Sequence, residues 1–160
     1  DWPERVGVPT LESVLDALGD MGTIQIEIKK DIDERMERLA EAVLGMVQDR
    51  HLESRVIVSS FEVHAVETVG RLAPDQARAY IGAFDTLDYL ETALRMGCTQ
   101  VDVSLNTSSR EMVAAAHREG LRVVGFQCNT PEALERCLDW GVDAATSDVP
   151  TEMLRLLAAR

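Results

Sequence analysis

The sequence is short of positive charge. Sixteen lysines and arginines face 28 aspartates and glutamates, a formal net charge of −12. A nucleic-acid partner wants a basic face, so that class is excluded, as is docking on an anionic membrane. A small anionic substrate stays open, because one lysine can hold a phosphate inside an acidic protein. Cysteine is scarce and odd in number: Cys98, Cys128 and Cys137 show neither CxxC nor CxH spacing. They predict buried thiols in a reducing compartment, and hence a cytoplasmic location. No apolar run approaches the roughly 20 residues of a membrane span, so none is expected. No signal peptide is read at the start, but Asp1-Trp2-Pro3 does not read as a natural start and predicts a chain cut at its beginning, which makes that reading weak. No Pro- or Gly-rich linker divides the 160 residues, which therefore make one domain, 1–160, with room for a core.

What is present is organised around one stretch. Ile24-Gln25-Ile26-Glu27-Ile28-Lys29-Lys30 alternates without a break, the period-two signature of a strand. Ile24, Ile26 and Ile28 point one way; Gln25, Glu27 and Lys29 point the other. A carboxylate and an ammonium thus share one face of one strand. Two readings fit: a salt-bridged surface edge, or a site that holds a metal and an anion.

Around it the chain alternates. Pro9-Thr10-Leu11-Glu12 opens a helix with Thr10 as N-cap, stopped by Gly19 and Gly22. After the strand at 24–29 comes a helix over 31–49, with Met36, Leu39, Ala40, Val43 and Met46 as its buried stripe. Further strands are expected at 55–59, 76–81, 100–105, 122–127 and 143–147. Helices are expected over 62–72, 85–96, 108–119 and 130–140, with a last one from Pro150. Thr130 caps its helix and Pro131 takes the first helical position, where its missing N–H costs nothing. Gly97, Gly120 and Gly141 close theirs. Strict alternation implies parallel strands with right-handed crossovers. An open doubly wound sheet and a (β/α)8 barrel both fit. No GxGxxG follows the first strand, which removes the main support for a dinucleotide fold. Glu27, Lys29, Ser59, Asp102, Ser104, Gln127 and Ser147 gather near strand C-termini, as on the active face of a barrel. The strand count is six, where a barrel needs eight.

Five phrases in order carry a resemblance. They are Val8-Pro9-Thr10-Leu11-Glu12; Ile26-Glu27-Ile28-Lys29; Val56-Ile57-Val58-Ser59-Ser60-Phe61; Ala115-Ala116-His117-Arg118-Glu119-Gly120-Leu121; and Gly141-Val142-Asp143 running on to Ser147-Asp148-Val149-Pro150. Together they make the chain resemble the glycerophosphodiester phosphodiesterase family. The resemblance implies an α/β fold, a (β/α)8 TIM barrel of the phospholipase C-like phosphodiesterase type, present here as an incomplete six-strand fragment. It implies metal-dependent hydrolysis of small-molecule glycerophosphodiesters to an alcohol and glycerol 3-phosphate, with Mg²⁺ or Ca²⁺ as the divalent metal. The metal-ligand Glu of the family's E-x-K strand falls on Glu27. The phosphate-contacting Lys falls on Lys29, which takes the catalytic and substrate-binding role. The family's H-R-G strand, E-x-D strand and H-D segment have no match here, and their two strands account for the deficit. Its W-T-V-N phrase reads Phe126-Gln127-Cys128-Asn129, and its T-D-x-P phrase opens with Ser147.

The chemistry of the residues bears on this. Hard divalent cations take several oxygen ligands, so Glu27 alone holds one poorly. A phosphodiester under attack gains charge on its nonbridging oxygens, which a metal and a lysine stabilise. Phe61 and Phe126 follow or end strands on the expected active face and are candidate walls for the glycerol or alcohol moiety. Proton transfer usually calls for histidine. His51 falls at the wrong end of a barrel, His117 near a helix C-terminus, and His64 on a helix surface. Asp102 shares a strand face with Ser104, and both a core and a site role stay open for it. The chain alone is therefore expected to lack catalytic competence. The competing reading is a non-catalytic phosphate-binding or interaction module built from the same barrel; a phospholipase D-like toxin or phosphoinositide-type lipase is a third. Two unpaired edges on a six-strand fragment predict association into a homo-oligomer.

Overall fold

The computed structural model describes residues 7–18, 22–82 and 87–160, Leu87 by its backbone alone. The expected opening loop before residue 7, the stop at Gly19 and the helix start at Asp85 lie outside the described residues. Within them the alternation holds. Helix α1 (Leu11–Leu18) leads into β1 (Ile24–Glu27), α2 (Asp33–Asp49), β2 (Val56–Ser60), α3 (Val63–Leu72), β3 (Arg78–Gly82) and α4 (Leu87–Arg95). Then come β4 (Gln100–Ser104), α5 (Arg110–Arg118), β5 (Arg122–Phe126), α6 (Pro131–Trp140), β6 (Ala144–Ala145) and α7 (Pro150–Ala158).

Local chemistry sets these bounds. The Thr10 hydroxyl accepts from the Ser13 N–H at 3.2 Å, and Thr130 accepts from Ala133 with Pro131 in the first turn. Each satisfies a helix N–H that has no partner inside its own helix. Gly141 ends α6 in the left-handed region at φ 73°, a conformation that costs glycine little. Three strand expectations shift. The first strand ends at Glu27, two residues before its expected end, so Lys29 lies just past it. Gln76 stands before β3 rather than within it, because its side-chain amide is buried and donates to the Val56 carbonyl at 2.6 Å. The sixth strand shrinks to Ala144–Ala145, since the Asp143 carboxylate turns back to accept from the Val123 N–H at 2.7 Å.

All six strands are parallel and lie in sequence order, β1-β2-β3-β4-β5-β6. The pleat sorts their side chains. Ile24, Ile26 and Ile28 pack with Val56 and Val58 against Met36, Ala40, Val43, Leu44 and Val47 of α2. Each Ile, Val, Leu or Met among them, fully buried, is worth roughly 1.5–3 kcal/mol. Leu39, expected in that stripe, is 44% exposed; the face of α2 turned to the sheet is set by Met36, Ala40, Val43 and Val47, and Leu39 lies off it. A second cluster joins Val101, Val103 and Val123 to α4 and α5. Tyr89 of α4 donates its hydroxyl to the Tyr80 and Asp102 carbonyls at 2.6 and 3.0 Å. Gly82 lets it in, since any β-carbon there would collide with the Tyr89 ring. Cys98, Cys128 and Cys137 are buried free thiols, and burial first pushes Cys98 up to about 11 and Cys137 up to about 12.

The opposite face of every strand turns to a lumen. By register Gln25, Glu27, Ile57, Ser59, Ala79, Ile81, Gln100, Asp102, Ser104, Val124 and Phe126 share it. The sheet is curled into a half-barrel. Side chains on strands three apart meet across it (Gln25 with Asp102; Phe61, just past β2, with Phe126 of β5). Among the described residues no pairing joins β6 back to β1. No helix among them is long and apolar enough to cross a membrane.

Open edges on β1 and β6 are templates for further pairing. The chain is therefore expected to self-associate, with a sedimentation coefficient that rises with concentration; a sharp monomer boundary at all loadings rejects this. A second expectation concerns acid. Burial alone would raise the Asp143 pKa, but the Val123 N–H, and then His117 at 3.0 Å, more than offset it and hold the carboxyl below its ordinary value. A depressed pKa stabilises the fold above the unfolded-state pKa of about 4, and that contribution fades as pH falls through the folded value. Asp143→Ala should cost about 1 kcal/mol at pH 7, with the gap to wild type in urea denaturation closing below pH 4. A gap that does not narrow as the pH is lowered from 7 into the acid range contradicts the assignment.

Candidate functional site at the strand C-termini

The mouth of the half-barrel is where the strands' C-terminal ends open. β1 delivers Glu27 and, one pleat repeat beyond, Lys29. Ser59 grips the backbone on both sides of Glu27. It is the register partner of Glu27, its carbonyl accepts from the Ile28 N–H at 2.8 Å, and its hydroxyl donates to the Ile26 carbonyl at 3.4 Å. The Lys29 ammonium lies 2.7 Å from Glu27 Oε2, with the lysine side chain 77% exposed and the glutamate side chain 28%. The other carboxylate oxygen, Oε1, is buried and has no hydrogen-bond partner. Lys30 pairs with Glu62 at 3.5 Å on the adjoining rim.

Phe61 and Phe126 meet at this end, ring centroids 6.2 Å apart and planes at 76°, edge to face. Such a contact adds roughly 0.5–1.5 kcal/mol beyond area burial. Phe61 nonetheless leaves 49% of its surface exposed. The structure thus brings Glu27 together with Lys29, and Phe61 together with Phe126.

Below Glu27 the lumen is polar, which reading by segments missed. Asp102 is 3% exposed. Gln25 and Gln100 both donate to its carboxylate, Gln100 at 2.8 Å, and Gln100 also donates to Gln25 Oε1 at 2.9 Å. Gln25 donates onward to the Ser59 hydroxyl at 3.2 Å. Burial raises the Asp102 pKa, and the Gln25 and Gln100 hydrogen bonds offset only part of that rise. A buried carboxylate needs such partners, since an unpaired one costs several kcal/mol. Both glutamines standing at lumen positions of their strands was the available signal.

The histidines go elsewhere. His117 sits 3.0 Å from Asp143. His64, on the first turn of α3, faces Glu37 of α2 at 3.9 Å, and His51 occupies the turn after α2. Among the described residues no three His, Cys, Asp or Glu side chains converge as a metal site. Glu27 fits the part of one ligand: its partnerless, buried Oε1 is the hard anionic oxygen a Mg²⁺ or Ca²⁺ ion takes.

Comparison with known proteins matches this geometry to a family. The model of the glycerophosphoryl diester phosphodiesterase family matches residues 2–152. A protein of Caldanaerobacter subterraneus named glycerophosphodiester phosphodiesterase is 25% identical over 151 residues, covering 94% of this chain and 62% of its own. The Bacillus subtilis protein YqiK is 31% identical over 159 residues, covering 95% and 63%. The chain therefore spans less than two thirds of the length of these relatives. Among solved structures, a protein from Silicibacter pomeroyi that carries the family's name superposes with a TM-score of 0.86 at 25% identity, over 94% of this chain and 56% of that one. The chain, a curled parallel sheet whose sequence matches the family model over residues 2–152, belongs to the glycerophosphoryl diester phosphodiesterase family.

Proposed function

We propose that this chain carries the phosphate-binding end of a glycerophosphodiester phosphodiesterase site: Glu27 as one ligand of a divalent metal, Lys29 on the phosphate. The observation that carries the reading is the carboxylate of Glu27, one oxygen held by Lys29 and the other buried without a partner. The reaction is hydrolysis of a glycerophosphodiester to an alcohol and glycerol 3-phosphate. A bound metal would supply Lewis-acid stabilisation of the charge that grows on the phosphoryl oxygens. The Lys29 ammonium, mostly solvent-exposed, swings from Glu27 to a nonbridging oxygen and adds a charge-assisted hydrogen bond. Phe61 and Phe126 present an apolar wall to the glycerol or alcohol carbon atoms. The described histidines turn to other partners, His64 to Glu37 and His117 to Asp143, and His51 lies in the turn after α2. The chain alone thus binds rather than turns over. That same observation favours a second reading, a non-catalytic phosphate-binding module.

Titration with glycerol 3-phosphate, followed by ³¹P NMR, tests the reading. Lys29→Ala should weaken binding about tenfold, the lower end of what a hydrogen bond to a charged group contributes. Mg²⁺ should tighten binding by wild type and not by Glu27→Gln. Choline release from glycerophosphocholine should be absent with the isolated chain. Binding that ignores both Mg²⁺ and Glu27→Gln favours the module; Lys29→Ala binding like wild type rejects the phosphate role.

A further inference from the structure

β1 is an edge strand: among the described residues its backbone ladder reaches β2 only. Yet its Gln25 amide touches the Asp102 carboxylate of β4. Neighbouring strands run about 4.8 Å apart, so on a flat sheet three spacings would separate these side chains by roughly 14 Å, far beyond a glutamine's reach. The contact is a chord across the curl, and it exists only while the curl is held. Ala79, fully buried between them on the lumen face, leaves room for the chord. Gln100 braces it from the same strand as Asp102, donating to both ends at 2.8 and 2.9 Å. The chord then passes to Glu27. The Gln25 amide donates to the Ser59 hydroxyl at 3.2 Å, and that hydroxyl donates to the carbonyl of the peptide joining Ile26 to Glu27.

We propose that Asp102, acting through Gln25 and Ser59, is a positioning residue that fixes the Glu27 peptide at the mouth of the half-barrel. It touches neither ligand nor metal; it holds the edge strand at the curvature that aims Glu27. The proposal rests on Glu27 being a metal ligand, and its test separates the two.

Backbone hydrogen exchange and Mn²⁺ titration are measured on the whole chain, in wild type, Asp102→Leu, Asp102→Asn and Gln25→Met. Gln25→Met keeps the side chain's length at an exposed lumen position and guards against simple misfolding of Asp102→Leu. Exchange of the Ile28 amide, bonded to the Ser59 carbonyl, should speed about tenfold in Asp102→Leu and Gln25→Met. β5 amides should hold their rates. Asp102→Asn, which still accepts one hydrogen bond, should fall between. Broadening of the Glu27 carboxylate carbon signal by Mn²⁺ should need at least fivefold more metal in the loosened variants. Uniform acceleration across β1 and β5, unchanged β1 exchange, or equal Mn²⁺ response in loosened and wild-type chains overturns the positioning role. Mn²⁺ that leaves Glu27 unbroadened even in wild type refutes the ligand reading instead, and β1 exchange then decides alone whether Asp102 holds the strand.

Discussion

The mouth depends on the single ladder between β1 and β2. Glu27 reaches the lumen because Ile26 and Ile28 are buried on the other face, and the pleat then gives the residues between them no alternative. A slip of one residue would bury Glu27 and Lys29 against α2 and expose three isoleucines. That exchange forfeits several side chains at roughly 1.5–3 kcal/mol each and buries a charge besides. The hydrophobic term sets the register; the Ser59 hydroxyl donating to the Ile26 carbonyl and the Ser59 carbonyl accepting from the Ile28 N–H then fix the position of Glu27 within that register.

Features encoded within a few residues were legible in the sequence. The alternation from Ile24, a strand as far as Glu27, the Thr130-Pro131 start and the Gly141 stop of α6 each depend on neighbours in the chain, and each stands where local chemistry puts it. Misplaced features depend on distant partners. Leu39 fits a helical stripe, but which side of α2 meets the sheet is decided by Ile24, Ile26 and Val58. Gln76 reads as strand until its amide finds the Val56 carbonyl, twenty residues back. At the site, the Glu27 and Lys29 pairing follows from spacing alone. The meeting of Phe61 with Phe126, and of Gln25 with Asp102, needs the curl of the whole sheet. Sequence spacing carries no direct record of curl.

The lumen network also shows how a polar interior is made tolerable. Asp102 stands between Ile81 and Val124, its register partners on the neighbouring strands, an environment that penalises its charge. Two glutamines answer it, and one of them is shared with Ser59. Replacing the set with apolar residues could match its stability, since buried polar groups are seldom a net gain over well-packed hydrophobes. What apolar side chains lack is direction. A chord of hydrogen bonds fixes a distance across the lumen, whereas hydrophobic contacts fill a volume.

The same reasoning weighs the two meanings of Glu27 and Lys29. A surface salt bridge with so exposed a lysine contributes about 0–1 kcal/mol. It would be made most cheaply with both carboxylate oxygens in water. Here one oxygen is sequestered without a hydrogen bond, a loss of roughly 1–3 kcal/mol. The balance is unfavourable for a pair whose only task is to decorate an edge. It would become favourable if a cation took the partnerless oxygen and freed the lysine for an anion. Local instability of this kind marks residues held for a ligand rather than for the fold, and it supports the roles proposed for Glu27 and Lys29.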